Sequence, residues 1–352
     1  MAVFRENRPM LSFHSPRHRL HHGHELKDGA LTPSHEAPQR AEIILAQLRG
    51  AGLGEVVEPR AYDRSCFVAA HSERFVHFLE TAWAQWAAAG RTHDALPLVW
   101  PVRELGAGAE PAHIDGRLGY YAMDAGSPIT AGTWDAVRSS ADCALGAADA
   151  VLGGMRAAFA LCRPPGHHAG PEYVGGYCYL NNAAIAAESA RRHGARRVAI
   201  VDVDFHHGNG TQAIFYDRAD VFFASLHGDP QWCYPYFSGR AEDRGRGAGD
   251  RCTANFPLPP GTGWDAYAAA LEQALAQVAA HAADLLVVSL GVDTFECDPI
   301  SHFRLRSTDF LRLGARLAKL RMPTVFVMEG GYMVDAIGLN VVNTLRGFED
   351  AA

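Results

Sequence analysis

Residues 198–212 read VAIVDVDFHHGNGTQ, and the change of character within this stretch decides the fold. Its first four residues are apolar, as in a short strand that is buried on both faces. From Asp202 onward the stretch becomes polar and contains glycine, which is typical of a ligand-binding loop at the end of such a strand. Further apolar runs of similar length occupy residues 156–163, 221–227, 284–291 and 324–329.

Helical patterns separate these apolar runs. Apolar residues recur at helical spacing over residues 182–193, 266–282 and 307–320. Short buried strands that alternate with helices form a parallel sheet with helices on both faces. The sequence therefore predicts an α/β fold with a mostly parallel central sheet. Upstream, further helices are predicted over residues 40–50, 74–89 and 134–152.

The length of 352 residues corresponds to about two average domains. We nevertheless predict a single domain spanning residues 1–352, because the chain has no internal repeat and no Pro/Ser-rich linker. The additional length then belongs to two segments that interrupt the α/β pattern. One is a His-rich N-terminal loop, residues 12–38, and the other is a Gly- and Pro-rich insertion, residues 90–132.

The composition argues against several classes of protein. The chain has 32 Lys and Arg against 39 Asp and Glu, a net charge of −7, which disfavours nucleic acid as the main partner. A hydrophobic fraction of 48% excludes a disordered chain. No run of about 18 apolar residues is present, so we expect no membrane span.

The cysteines indicate neither a disulfide scaffold nor a thiolate zinc site. There are 7 of them, an odd number, and none forms a CxxC pair. The first ten residues, MAVFRENRPM, lack the apolar core of a signal peptide, so we expect a cytoplasmic protein. With 18 His and 39 carboxylates, a bound metal would be held by nitrogen and oxygen.

Polar residues and glycines follow five of the predicted strands. In a parallel sheet, ligands bind at the carboxyl ends of the strands, so these segments should meet at one edge. The segments are 163–170 (RPPGHHAG), 202–210 (DVDFHHGNG), 225–229 (SLHGD), 291–294 (GVDT) and 329–332 (EGGY).

Asp204 and His206 lie two residues apart where the strand ends, and Asp293 follows a neighbouring strand. Alternate residues of a strand share one face, so these side chains can converge on a cation of the size of zinc and leave a position for water and substrate. The alternatives are three solvated loop residues or a simple Asp–His hydrogen bond.

His167 and His168 form an adjacent pair for which apolar packing offers no explanation. Beside a metal site, such a pair suits a general base with an electrostatic partner or acid, although a single histidine there would more often be structural. Tyr332 follows two glycines, so its hydroxyl could reach the crevice and donate to a developing oxyanion. The glycines could also serve only to make a turn.

The His-rich N-terminal loop contains five histidines within eleven residues, at His14, His18, His21, His22 and His24. Their irregular spacing favours an ordered surface loop or a partner contact over a metal site.

The sequence resembles the histone deacetylase superfamily, whose members have the arginase/deacetylase fold. The resemblance lies in the five segments that follow the predicted strands and in residues 175–184 (GGYCYLNNAA). The resemblance extends over about residues 36–347 and implies a central sheet of about eight strands. Within the superfamily, the sequence is most similar to bacterial acetylpolyamine amidohydrolases in residues 78–83 (FLETAW), 119–121 (GYY) and 222–230 (FFASLHGDP).

The resemblance implies that zinc is held by Asp204, His206 and Asp293. It implies His168 as the general base, His167 as the electrostatic member of the pair, and Tyr332 as the donor to the substrate carbonyl. The ligand set could also hold Fe(II) or Co(II).

Further residues receive roles from the same resemblance. Asp202 would orient His167 and bind a structural potassium ion together with Ser225, Leu226 and the backbone of Asp204 and His206. Asn209 stands where some members have Asp behind His168, which should lower the pKa of that histidine relative to those members. Tyr177, Gly176 and Tyr234 would line the substrate channel.

The resemblance also implies a substrate and a partner. The substrate would be a small cationic acetylated amine, with Asp115 and Asp124 of the insertion as candidate contacts and with dimerisation helping the insertion to restrict the channel. Lys27 and Gly126 depart from the expected pattern, since an aromatic and an acidic residue would be expected there. Two alternatives are a broader amidohydrolase acting on acetyl-lysine or other small amides, and a non-catalytic metabolite-binding module.

Overall fold

A computed structural model describes residues 9–102, 104 and 108–351 of the chain. Its main sheet has eight strands: β1 (Leu11–Phe13), β4 (Val56–Val57), β5 (Ala157–Ala160), β6 (Val198–Asp202), β7 (Val221–Gly228), β8 (Thr253–Leu258), β9 (Leu285–Leu290) and β10 (Thr324–Met328). Their order in the sheet is β4-β1-β5-β10-β9-β6-β7-β8, and all pairings between them are parallel. The predicted parallel α/β sheet is confirmed.

The five central strands are buried at every residue, so both faces of the sheet are covered. Nine helices are described: α1 (Pro38–Ala51), α2 (Glu73–Ala88), α3 (Ile114–Tyr120), α4 (Thr133–Leu152), α5 (Asn182–Arg192), α6 (Asn209–Phe215), α7 (Trp264–His281), α8 (Ser307–Ala318) and α9 (Val334–Asp350). One group of helices, α4 and α5, packs on β5 and β6, whereas α7, α8, α9 and α1 form a second contiguous group. No described helix is long and apolar enough to span a membrane.

A separate hairpin consists of two antiparallel strands, β2 (His24–Lys27) and β3 (Ala30–Pro33). Its turn contains Asp28 and Gly29, both with positive φ. Asp-Gly is the dipeptide that favours such a turn, because both residues tolerate a left-handed backbone.

The interpretation of the N-terminal segment as a surface loop is only partly correct, since His22 and His24 are exposed but other parts of the segment are buried. Its strand β1 inserts between β4 and β5, and this insertion draws the following residues into the interior. The side chains of His14, His18 and His21 are buried there. A three-residue strand is too short to produce a detectable hydrophobic period, so the sequence pattern did not reveal β1.

The contact between α8 and α9 depends on a glycine. A Cβ added at Gly314 would lie 2.7 Å from the backbone nitrogen of Phe348 and would overlap the carbonyl oxygen of Thr344. The two helices can therefore approach this closely only without a side chain at that position.

We predict that Gly314→Ala lowers the free energy of unfolding by about 1–3 kcal/mol, because the added methyl group forces the helices apart. Gly50→Ala in α1 is the matched control, since nothing lies within 4 Å of the added Cβ. There the same change should leave stability unchanged or raise it by up to about 1 kcal/mol. Urea unfolding measures both, and equal effects of the two substitutions would contradict the packing argument.

Candidate active site

The polar segments predicted to meet do so at the carboxyl ends of β5, β6, β7, β9 and β10. Within the sheet, Asp202 at the end of β6 pairs with Ser225 of β7 and with Ser289 of β9. Parallel strands in register end at the same edge, so the residues that follow them are brought into one crevice.

Asp204, His206 and Asp293 form a compact buried group. Nδ1 of His206 lies 2.9 Å from Oδ2 of Asp293 and 3.3 Å from Oδ1 of Asp204. One ligand atom from each residue lies within 4.8 Å of the others. Two carboxylate oxygens and an imidazole nitrogen are ligands that zinc prefers, so this donor set fits the metal.

Backbone groups fix the two carboxylates. Asp204 accepts hydrogen bonds from the backbone N–H of His206 at 2.8 Å and of Gly330 at 2.8 Å. Asp293 accepts one through Oδ1 from the backbone N–H of Phe205 at 2.7 Å. A Cβ at Gly330 would lie 2.5 Å from Asp204 Oδ2 and 2.6 Å from Asp293 Oδ2, so only glycine leaves room for both.

The electrostatics of this group favour a cation. Burial and the neighbouring Asp204 carboxylate raise the pKa of Asp293. Two ionised carboxylates that are buried this close together repel each other, and a bound divalent ion would offset this repulsion.

The two rings of His167 and His168 are 4.1 Å apart between centroids, and each contacts a different partner. Nδ1 of His167 lies 3.0 Å from Oδ2 of Asp202, and Nδ1 of His168 lies 2.6 Å from Oδ1 of Asn209. An amide oxygen only accepts, so Nδ1 of His168 carries the proton. The neutral ring of His168 then has its lone pair on Nε2.

The environments of the two histidines drive their pKa values apart. Burial lowers the pKa of His167, but the carboxylates of Asp204 and Asp202 outweigh burial and hold it well above its ordinary value. Burial lowers the pKa of His168, and the neighbouring His167 lowers it further. One ring is therefore suited to carry a positive charge and the other to accept a proton.

Glu329 is a buried carboxylate to which the sequence assigned no individual role, and it hydrogen-bonds to the backbone of this pair. Oε2 of Glu329 accepts hydrogen bonds from the backbone N–H of Gly166 at 2.6 Å and of His167 at 3.0 Å. Glu329, His167 and Cys178 also lie close enough to share an ion. However, the Cys178 thiol donates to the carbonyl of Gly176 and burial raises its pKa, so it is a poor thiolate ligand.

The residues predicted to hold potassium lie together below the histidine pair. Asp202 and Ser225 are register partners, and they and Leu226 are fully buried. Nε2 of His227 lies 2.8 Å from the carbonyl oxygen of Gly239, so Nε2 carries the proton and Nδ1 accepts from the Ser225 hydroxyl at 2.8 Å. The hydroxyl proton is thereby engaged, and the oxygen of Ser225 keeps its lone pairs for a cation.

A cavity of about 520 Å³ opens above the metal-ligand group. His168, His206 and Tyr332 line it, as do four of the five residues predicted to contact substrate, namely Gly176, Tyr177, Tyr234 and Asp124. Oδ2 of Asp124 accepts hydrogen bonds from the backbone N–H of Gly176 at 2.9 Å and from the Tyr234 hydroxyl at 2.6 Å.

Asp115 is not brought to the cavity within this chain. It lies at the start of α3, where its carboxylate forms an ion pair with Arg91 and is partly exposed. The predicted contact of Asp115 with substrate is therefore not formed within a single chain.

Glu25 was missed by the sequence analysis. It lies in β2 and lines the cavity together with Lys27 and Asp28. Its Oε2 accepts a hydrogen bond from the Tyr177 hydroxyl at 2.9 Å. The Asp28-Gly29 pair in the sequence predicts a hairpin turn. It does not predict that the hairpin packs beside the cavity.

The chain belongs to the histone deacetylase family, since the family described as Histone deacetylase domain matches residues 34–348. This confirms the resemblance found in the sequence. Acetylpolyamine amidohydrolase 2 of Pseudomonas aeruginosa is 56% identical over 341 residues, covering 97% of this chain and 99% of the relative. Acetylpolyamine amidohydrolase 1 of the same species is 54% identical over 345 residues, covering 97% and 100%.

Solved structures agree with this family membership. A crystal structure of acetylpolyamine aminohydrolase from Burkholderia pseudomallei superimposes with a TM-score of 0.92 at 38% identity, covering 97% of this chain and 99% of that one. The HD domain of HDA15 superimposes with a TM-score of 0.80 at 26% identity, covering 98% and 91%.

We predict that Asn209→Asp raises the pKa of His168 by about one unit or more, because a carboxylate stabilises the imidazolium where an amide does not. The imidazole resonances of the zinc-loaded protein measure this shift. The pKa of His71, which burial lowers to about 4, should not change and serves as the internal control. An unaltered pKa of His168 would contradict the assigned contact.

Proposed function

We propose that this protein is a zinc-dependent deacetylase that hydrolyses the acetamide of small N-acetylated amines, above all acetylpolyamines, and releases acetate and the free amine. The observation that carries the proposal is the buried group of Asp204, His206 and Asp293, whose His206 lines the same cavity as the neutral His168. The names of the relatives from Pseudomonas aeruginosa and Burkholderia pseudomallei support the same substrate class.

A zinc ion held by Asp204, His206 and Asp293 would supply a Lewis acid for the acetamide carbonyl and would make water more acidic. Iron(II) or cobalt(II) would satisfy the same ligands, and the family implies only that a metal is used.

The residues of the chain account for the proton transfers. His168 removes a proton from the attacking water through Nε2, since its Nδ1–H is held by Asn209. His167, paired with Asp202, carries the positive charge that stabilises the developing negative charge. Tyr332 donates a hydrogen bond from its hydroxyl to the carbonyl oxygen as negative charge develops on that oxygen. An imidazolium of the pair then protonates the nitrogen of the departing amine.

A structural potassium ion is part of the proposal. Asp202, the Ser225 hydroxyl and the backbone oxygens of Asp204, His206 and Leu226 would coordinate it. The support is the orientation of the Ser225 hydroxyl toward His227, because a hydroxyl with its proton engaged is a better cation ligand. This ion would lie beneath the histidine pair and keep Asp202 ionised.

The walls of the cavity fit a slender cation. Glu25, Asp28 and Asp124 contribute carboxylates to the lining, against a single lysine, Lys27. Tyr177 and Tyr234 offer aromatic faces for the methylene chain and for a cationic amine. A broader specificity that includes acetyl-lysine remains the second candidate, and it is favoured by Lys27, which would repel a polyamine. A non-catalytic binding module has no support from the site.

We further propose that the insertion of residues 90–132 and the N-terminal segment of residues 12–38 shape the channel, and that two chains form a homodimer. Leu98, Val99 and Val102 of the insertion are exposed, as expected of an apolar interface. A cytoplasmic location is supported by the seven cysteines, all of which are free thiols.

The decisive experiment compares kcat/KM for N-acetylputrescine with that for N-pentylacetamide, in which a methyl group replaces the ammonium. We predict that the wild type prefers the cation and that Glu25→Gln reduces this preference about tenfold. A hydrogen bond to a charged group contributes about 1.5–3 kcal/mol, and the neutral amide does not depend on it.

Glu42→Gln is the matched control, because Glu42 pairs with Arg19 and His18 outside the cavity. It should leave the preference unchanged. An acetyl-lysine peptide turned over as fast as N-acetylputrescine would contradict the polyamine assignment, and absence of acetate release from all three substrates would contradict deacetylation.

A further inference from the structure

The backbone around Tyr332 needs an anchor, because two glycines precede it. Gly331 has φ of +132°, a conformation that only glycine adopts readily, so the segment gains no rigidity from its own side chains. Tyr332 lines the cavity beside His168 and His206. The position of its hydroxyl therefore depends on what holds its main chain.

The backbone N–H of Tyr332 donates to Oδ2 of Asp298 at 2.7 Å. Oδ2 also accepts from the N–H of Met333 at 3.3 Å, and Oδ1 accepts from the N–H of Ile300 at 3.1 Å. The Asp298 side chain is buried, with 7% of the residue exposed. A buried carboxylate that accepts three backbone hydrogen bonds is held in one orientation and holds its donors in turn.

Asp298 also completes the start of α9. That helix begins at Val334 after Met333, and no side chain of its own caps its first turn. A carboxylate that accepts the N–H groups just before a helix compensates the positive end of the helix dipole. The start of a 17-residue helix and the tyrosine next to it are thus fixed by one side chain from another loop.

The loop that contains Asp298 also forms part of the cavity wall. Asp298 lies five residues after Asp293, and the following Pro299 and Ile300 line the cavity, whereas Asp298 itself does not. Asp298 therefore sits behind the cavity wall, where it can act on the reaction only through the groups it holds.

We propose that Asp298 is a positioning residue for Tyr332, holding the tyrosine main chain so that the hydroxyl reaches the carbonyl oxygen of the bound acetamide. This inference rests on the role of Tyr332 in the proposed function. Misplacement of a reacting group by about 1 Å costs on the order of a hundredfold in rate, so the contact matters for turnover rather than for substrate binding.

The test is a double-mutant cycle on N-acetylputrescine with Asp298→Ala, Tyr332→Phe and the double variant, with zinc content measured in each. We expect Asp298→Ala to lower kcat by about 10- to 100-fold with little change in KM and full zinc occupancy. Once the hydroxyl is absent, the same substitution should lower kcat less than about threefold, because there is nothing left to position. Asp298→Asn keeps one acceptor oxygen and should retain intermediate activity.

Asp309→Ala is the matched control. Asp309 is also buried and also accepts a backbone hydrogen bond at a helix start, from the N–H of Arg306 at 2.9 Å, but it lies at α8. It should lower the melting temperature and leave kcat unchanged. If Asp298→Ala does not fold, the cycle is completed with Asp298→Asn.

Equal losses of kcat in the wild-type and Tyr332→Phe backgrounds would overturn the positioning role and leave Asp298 a structural residue. Unchanged kcat in Asp298→Ala would do the same. Full activity of Tyr332→Phe alone would instead remove the tyrosine from the mechanism and with it anything for Asp298 to position.

Discussion

Two buried carboxylates and an imidazole meet within hydrogen-bonding distance at the carboxyl edge of the sheet, and this convergence constrains the surrounding structure. Burying like charges side by side is unfavourable unless hydrogen bonds and a cation compensate them. Backbone N–H groups of Phe205, His206 and Gly330 provide the hydrogen bonds. These hydrogen bonds hold both carboxylates beside the imidazole, so the chain itself fixes the geometry of the candidate metal site.

The residues around the two carboxylates and the imidazole must leave space for these three side chains. Gly330 leaves room for both carboxylates. Because the glycines before Tyr332 have no side chains, the position of the tyrosine depends on contacts with other parts of the chain. Arg40 contributes one of these contacts by donating to the carbonyl oxygen of Gly331 at 2.6 Å, and its guanidinium lies 4.7 Å from the centre of the Tyr332 ring. Asp298 contributes another through the amide of Tyr332. The position of Tyr332 thus depends on α1 and on the loops that follow β9 and β10.

The parts of the fold that sequence predicted are those with strong local signals. Long apolar runs such as that before Asp202 identify central strands, and the polar residues after them meet because parallel strands end together. The strand β1 and the cavity-lining Glu25 were not predicted, since one has only three residues and the other depends on where a hairpin packs. Asp115 was predicted at the cavity, but its contact with Arg91 depends on the tertiary path of the insertion. Side-chain partners across the fold are not encoded in local periodicity.

The central claim is that Asp204, His206 and Asp293 hold the metal on which acetamide hydrolysis depends. It is tested most directly by titrating zinc into chelator-treated protein while heat and acetate release from N-acetylputrescine are recorded together. The account predicts that both signals saturate at about one zinc per chain and that Asp293→Asn loses both, because one of only three ligands is neutralised. Full acetate release without metal, or zinc binding by Asp293→Asn equal to that of the wild type, would contradict it.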